Sequence, residues 1–154
     1  MYEIIPAAYI FTHVYLNTMQ QGIQALHTAV EFFVQNPQGD NHVILPHQRP
    51  SLHDSVVDWA CNHKTVRILS AGGGEQFDIT MSGAKDMAKK YGLPFASFRE
   101  PDNFNQIDAF GIIVTPELVA DVAEERMCGV YLEATDSEDG HPLVAFLKEF
   151  HSAR

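Results

Sequence analysis

Apolar residues follow two rhythms along this chain. The stretch Ala8-Tyr9-Ile10-Phe11-Thr12-His13-Val14-Tyr15-Leu16 is nearly continuous and rich in aromatic and β-branched residues, which predicts a buried strand over 7–16. The period then changes. From Met19 to Val34 or Gln35, apolar Ile23, Leu26, Val30, Phe33 and Val34 recur at helical spacing, and Gln20, Gln24, His27 and Glu31 line up on a polar stripe beside them. Asn17 or Thr18 is placed to cap this helix.

Residues 37–52 read as a loop, interrupted by Pro37, Pro46 and Pro50. Its length is that of a lid or mobile segment rather than a simple connection. The pattern then predicts a short helix over 53–62 with Val56, Val57 and Ala60 on one side, and a strand over 65–70. Ala71-Gly72-Gly73-Gly74 leads into a helix over 75–91, which Gly92-Leu93-Pro94 stops. A strand over 95–98, a polar loop over 100–108 and the wholly apolar, central strand Phe110–Val114 follow. Pro116 opens a helix to about Arg126, Gly129–Leu132 is a further strand candidate, and a last helix runs from Pro142 to Ser152. This order predicts an α/β protein: one three-layer domain over 1–154, with helices flanking a mixed sheet of four strands, or five if 129–132 joins it.

Charge narrows the function classes. Ten Lys and Arg against twenty Asp and Glu give a net charge of −10. Nucleic-acid binders neutralise phosphates with a basic patch. The dense basic cluster here is Lys85, Lys89 and Lys90, on a predicted helix where a solvated face is the ordinary reading. A small molecule or a basic protein partner fits the balance better than general RNA binding. No apolar run approaches the ~20 residues that span a bilayer, and Met1–Pro6 carries no basic leader, so a soluble, cytoplasmic protein without membrane contact is expected.

Cys61 and Cys128 form no Cys-x-x-Cys pair and read as buried or partly buried free thiols. His42, His47, His53 and His63 lack helical metal-ligand spacing with a carboxylate, so neither metal nor cofactor is expected. The triple glycine before a helix reads either as a phosphate cradle or as a flexible turn, and it matches neither Gly-x-Gly-x-x-Gly nor a Gly-Lys-Ser/Thr loop.

The segment Met19-Gln20-Gln21-Gly22-Ile23-Gln24-Ala25-Leu26-His27-Thr28 after the first strand, Trp59, the strand Lys64-Thr65-Val66-Arg67-Ile68, Ala88 with Gly92-Leu93, and Phe98-Arg99-Glu100-Pro101-Asp102 before the last apolar strand occur in a telling order. In this the chain resembles the type II peptidyl-tRNA hydrolases over about residues 7–116, and its Glu-Pro-Asp loop resembles their divergent, virus-encoded branch. The region from about 117 is then a C-terminal extension. Gln24 and His27 match the family's Gln and His, Gly22 stands where the family has Ala, and Gln20 stands where it has Lys.

The resemblance implies that fold, homodimerisation and hydrolysis of the ester joining peptide to tRNA, or of a related aminoacyl ester. It implies Gln24, Glu100, Asp102 and His27 as catalytic residues, and Gln20, Lys64, Arg67, Arg99 and Asp108 as substrate-binding ones. Ester cleavage needs an activated water and a donor for the developing oxyanion. Gln24 can supply the donor and Glu100 or Asp102 the base. His27 is a second candidate base, or a hydrogen-bonded structural residue of the helix. Gln20 cannot replace a Lys charge. The alternative is a catalytically degenerate member that binds a small molecule or a protein at an acidic or apolar mouth, without turnover.

Overall fold

The computed structural model describes residues 4–39, 50–102, 106–128 and 141–150. In chain order the elements are β1 (Ala7–Thr12), α1 (Thr18–Gln35), α2 (Leu52–Asp58) continuing as a wider π-type turn over Trp59–His63, β2 (Val66–Ser70), α3 (Glu75–Tyr91), β3 (Phe95–Phe98), β4 (Ala109–Val114), α4 (Pro116–Cys128) and α5 (Pro142–Lys148). The strands form one mixed sheet in the order β2-β1-β4-β3. β1 pairs parallel with β2 and antiparallel with β4, and β4 pairs antiparallel with β3. The expected α/β class and four-stranded sheet are thus present; the strand candidate at 129–132 lies outside the described residues.

The two faces of the sheet carry different side chains, and this decides how the helices sit. On one face Tyr9, Phe11, Leu69, Phe110, Ile112 and Val114 meet α3, α4 and α5 through residues such as Phe77, Leu118, Val122 and Leu147. Phe11 and Phe110 stack at 4.9 Å between ring centroids. α5 therefore belongs to the same core as the sheet. The other face is built from small residues, Ala8, Ala96 and Gly111 beside Ile10 and Ile113, and takes Ala25 and Phe32 of α1 with Val56 and Trp59. Gly111 permits this approach. A Cβ there would stand 2.9 Å from the Tyr9 carbonyl oxygen and 3.0 Å from Cζ of Phe32.

α1 consequently turns an unexpected face inward. Gln21, Ala25, Thr28 and Phe32 are buried, while the apolar stripe Ile23, Leu26, Val30, Phe33 and Val34 points to solvent. Ala25 and Thr28 fit the close helix–sheet spacing that Gly111 and the alanines set, and the Phe32 ring fills the space left over Gly111. β1 is also shorter than the apolar run predicts. It ends at Thr12, because the Val14 N–H leaves the ladder to bond the Gly72 carbonyl at 2.9 Å and the chain turns. Cys61, expected to be at least partly buried, is an exposed free thiol.

The free edge of β3 is covered by a side chain. Gln35 accepts from the Ser97 N–H at 3.0 Å and donates to the Ser97 carbonyl at 2.6 Å, so its carboxamide pairs with the edge as one residue of a strand would. Gly111→Ala is expected to cost about 2–3 kcal/mol, because the obstructing Tyr9 oxygen is backbone and cannot swing away. Equilibrium urea unfolding measures this as a lowered midpoint with an unchanged slope.

Candidate functional site

β1, β2 and β3 run in one direction, so their carboxyl ends and the amino end of β4 share one rim of the sheet. The amino ends of α1 and α3 reach the same rim. Open α/β sheets place ligands outside the carboxyl ends of their strands.

The polar stripe of α1 runs along β3 up to this rim. Gln24 Nε2 donates to Glu100 Oε1 at 3.1 Å, joining residues 76 positions apart. A carboxylate only accepts, which fixes the orientation of the amide. Gln24 Oε1 is buried with no hydrogen-bond partner among the described residues. Glu100 is held from its other side: its backbone N–H donates to Asp108 Oδ2 at 2.7 Å, and the Asp108 N–H bonds the Phe98 carbonyl at 2.8 Å. These bonds fasten the loop leaving β3 to the segment entering β4. Thr12 Oγ1, at the end of β1, is a further buried polar atom without a hydrogen-bond partner among the described residues.

His27, one turn along from Gln24, makes an aromatic contact rather than the expected hydrogen bond. Its ring meets Phe98 edge-on at 4.4 Å. Asp102 is exposed on the turn after Glu100 and makes no contact with Gln24 among the described residues.

Two of the five expected substrate-binding positions, Lys64 and Arg67, lie elsewhere, and Gln20 is turned to another use. Gln20 is occupied in a capping box: its backbone N–H donates to Asn17 Oδ1 at 2.9 Å, and its Oε1 accepts from the Asn17 N–H at 3.0 Å. Lys64 precedes β2, at the opposite end of the sheet, with its backbone in the left-handed region at φ 54°. Arg67 pairs with Tyr9, so its side chain belongs to the α3 face, away from α1. Lys85, Lys89 and Lys90 lie in the second half of α3, toward the end remote from the rim. Arg99 is the basic residue beside Glu100, and it is exposed. Among the described residues the rim around the pair is therefore mainly acidic, with Glu100, Asp102 and Asp108, and Arg99 is the basic residue there.

The sequence reading passed over a second polar group. His13 follows β1, is only 1% exposed, and stacks on Phe77 at 3.7 Å. Its Nε2 lies 3.0 Å from the Ile107 carbonyl. The Gln106 side-chain nitrogen lies 3.1 Å from the same ring nitrogen and 3.5 Å from the Tyr15 hydroxyl. His13 Nδ1 is buried without a hydrogen-bond partner among the described residues. His13 thus anchors the Gln106–Asp108 segment whose Asp108 holds Glu100. The signal was a histidine inside an apolar run, which in sequence reads as one more strand position.

The glycine loop is a turn rather than a phosphate site. Gly72 and Gly74 adopt positive φ, and the first turn of α3 carries Glu75 and Asp78, which repel an anion. Among the described residues no group of three or more His, Cys, Asp and Glu side chains could hold a metal, and no helix is long and apolar enough to cross a membrane. A cavity of about 300 Å³ lies toward the far end of the sheet between Asn36, Leu52, Lys85, Lys89 and Phe95, apart from the Gln24–Glu100 pair. No protein-family model matches the chain, and no curated protein matches it.

Asp108→Ala strips the Glu100 N–H of its acceptor, and the expected cost is about 1–3 kcal/mol. Asp108→Asn keeps a carbonyl acceptor and should recover most of it. Amide hydrogen exchange at Glu100 distinguishes the two, fast in the Ala variant and slow in the Asn variant.

Proposed function

We propose that this chain is a hydrolase of the type II peptidyl-tRNA hydrolase kind, cleaving the ester of peptidyl-tRNA or of a related aminoacyl ester. The observation that carries this reading is the 3.1 Å hydrogen bond between Gln24 and Glu100. Two positions that the resemblance pairs as amide and carboxylate meet at the rim, on the helix and loop that the family uses. The run of elements β1-α1-α2-β2-α3-β3-β4 supports it as well.

The roles follow from the donors and acceptors available. Glu100, oriented by Gln24, accepts a proton from the attacking water through its remaining acceptor capacity. Gln24 has a second N–H beyond the one given to Glu100, and this is the donor for the oxyanion. Asp108 and His13 fix the loop that carries the base. His27 packs beneath it on Phe98. Without a basic surface at the rim, recognition rests on the ester end and the acyl group, so binding should depend only weakly on salt.

A second reading is favoured by one observation, the commitment of Gln20 to the helix cap in place of a cation aimed at the site. It is a binding protein without turnover, for a neutral or cationic small molecule or for a protein.

Incubation with a peptidyl-tRNA and measurement of released tRNA separates the two. For the hydrolase, Glu100→Gln lowers kcat by roughly 10²–10⁴-fold and Gln24→Ala by roughly 10²–10³-fold. Absence of turnover in the wild type, with both variants indistinguishable from it, sinks the hydrolase and leaves the binding protein.

A further inference from the structure

The cavity at the far end of the sheet takes no part in the chemistry at the rim. It encloses about 300 Å³, at the lower end of the range for small-molecule sites. Its apolar walls are Leu52 of α2, Ala88 of α3, Leu93 just before β3, and Phe95 at the start of that strand. Its polar lining is Lys85, Lys89 and Asn36, and no carboxylate lines it among the described residues. On a chain with twenty acidic residues against ten basic ones, a cavity lined by two cations and no acid is a local reversal of charge.

We infer that this cavity binds a small organic carboxylate with an apolar body and one hydrogen-bond donor. The lysines select the anionic head. Lys85 and Lys89 stand one turn apart on α3, so their side chains share a face. Neither makes an ion pair among the described residues. A lysine at a helix end ordinarily offsets the dipole, and Lys90 is placed to do so, with its Nζ 5.4 Å from the centroid of the Tyr91 ring. Lys85 lies before the last turn, where that effect has faded, so the dipole does not account for it. The Ala88 carbonyl, at the cavity, already accepts from the Gly92 N–H and from the Leu93 N–H at 2.9 Å, so the helix end turns less negative charge toward a bound anion. Asn36 selects the donor. It is only 6% exposed, and its amide nitrogen is committed to the Phe32 and Phe95 carbonyls at 2.9 and 3.2 Å. That fixes the orientation of the carboxamide and leaves its oxygen as an acceptor with no donor among the described residues. A ligand N–H or O–H satisfies it. Leu52, Leu93 and Phe95 reward a ring or short chain between the two polar ends. An aryl alkanoate that carries a phenol has all three features.

Isothermal titration calorimetry of the full chain with para-hydroxyphenylpropionate tests this, beside phenylpropionate, tyramine and inorganic phosphate. The hydroxylated carboxylate is expected to bind one-to-one. Phenylpropionate lacks the donor for Asn36 and should bind several-fold more weakly. Tyramine lacks the carboxylate and phosphate lacks the apolar body, and neither should bind measurably. Replacing both lysines, Lys85→Gln with Lys89→Gln, is expected to weaken binding about tenfold. Leu52→Asp should weaken it at least as much. All three side chains are exposed, so far-UV circular dichroism should not change. Lys90→Gln, outside the cavity lining, should bind like the wild type. Should the double variant lose its helical signal, Leu52→Asp decides alone. A wild type that takes up no hydroxyphenylpropionate at millimolar concentration overturns the inference. So does tyramine or phosphate binding as tightly as the carboxylate, the latter marking a bare cationic patch. Affinity unchanged in both the double-lysine and the Leu52→Asp variants overturns it as well, and phenylpropionate binding as tightly as its hydroxylated form removes Asn36 from the site.

Discussion

The close approach of α1 to the sheet is the constraint from which the rest follows. It depends on a surface of Ala8, Ala96 and Gly111, where Phe32 lies over a position too tight for any Cβ. A helix that packs this closely must present small residues, and Ala25 and Thr28 do so. Once that face is inward, the helical repeat leaves no choice about the others. Gln24, His27 and Gln35 fall along β3, and the aliphatic stripe falls outward. Hydrophobicity alone would have buried Leu26 and Val30. Packing geometry buried Thr28 and Gln21 instead, with their polar atoms satisfied by the Gln24 and Leu16 carbonyls at 2.9 and 3.1 Å.

The same placement explains why the rim is polar but poor in cations. The carboxyl ends of the strands receive Glu100 and Asp108 from the β3–β4 connection, and those groups are spent on mutual fastening as much as on presentation. Lys85, Lys89 and Lys90 ride on α3 and Lys64 on the turn before β2, where the chain returns to the other end of the sheet. With about 3.3 Å per strand residue, that end lies well beyond the reach of a surface charge screened at physiological salt. Under the proposed function, a substrate held here is recognised by hydrogen bonding and shape near the Gln24–Glu100 pair.

How much of this was legible in the sequence depended on whether the signal was local. α3 over 75–91 and β3 over 95–98 were readable residue for residue, because glycines at both ends of α3 mark the chain reversals. The end of β1 was not, since His13, Val14 and Tyr15 look like strand residues until the Gly72 carbonyl draws Val14 out of the ladder. The meeting of Gln24 with Glu100 was legible only through resemblance, as nothing within either segment points to the other. The positions of Lys64 and Arg67 needed the end and face of β2 to be known, and the anchoring of Ile107 by His13 spans 94 residues with no motif at either end.

One helix thus presents three surfaces, and their angular separation makes them independent. Gln24 and Ile23 are neighbours in sequence, yet one side chain is turned to Glu100 and the other to solvent. A change on the outward stripe at Leu26 or Val30 leaves the Gln24–Glu100 bond its own backbone support, because Thr28 bonds the Gln24 carbonyl from the inward side. The inward side is different. Any residue that enlarges Ala25 or fills Gly111 lifts the whole helix from the sheet and draws Gln24 from Glu100 and Gln35 from Ser97 together. The chemistry at the rim is therefore coupled to packing density beneath α1 more tightly than to anything that happens on its exposed face.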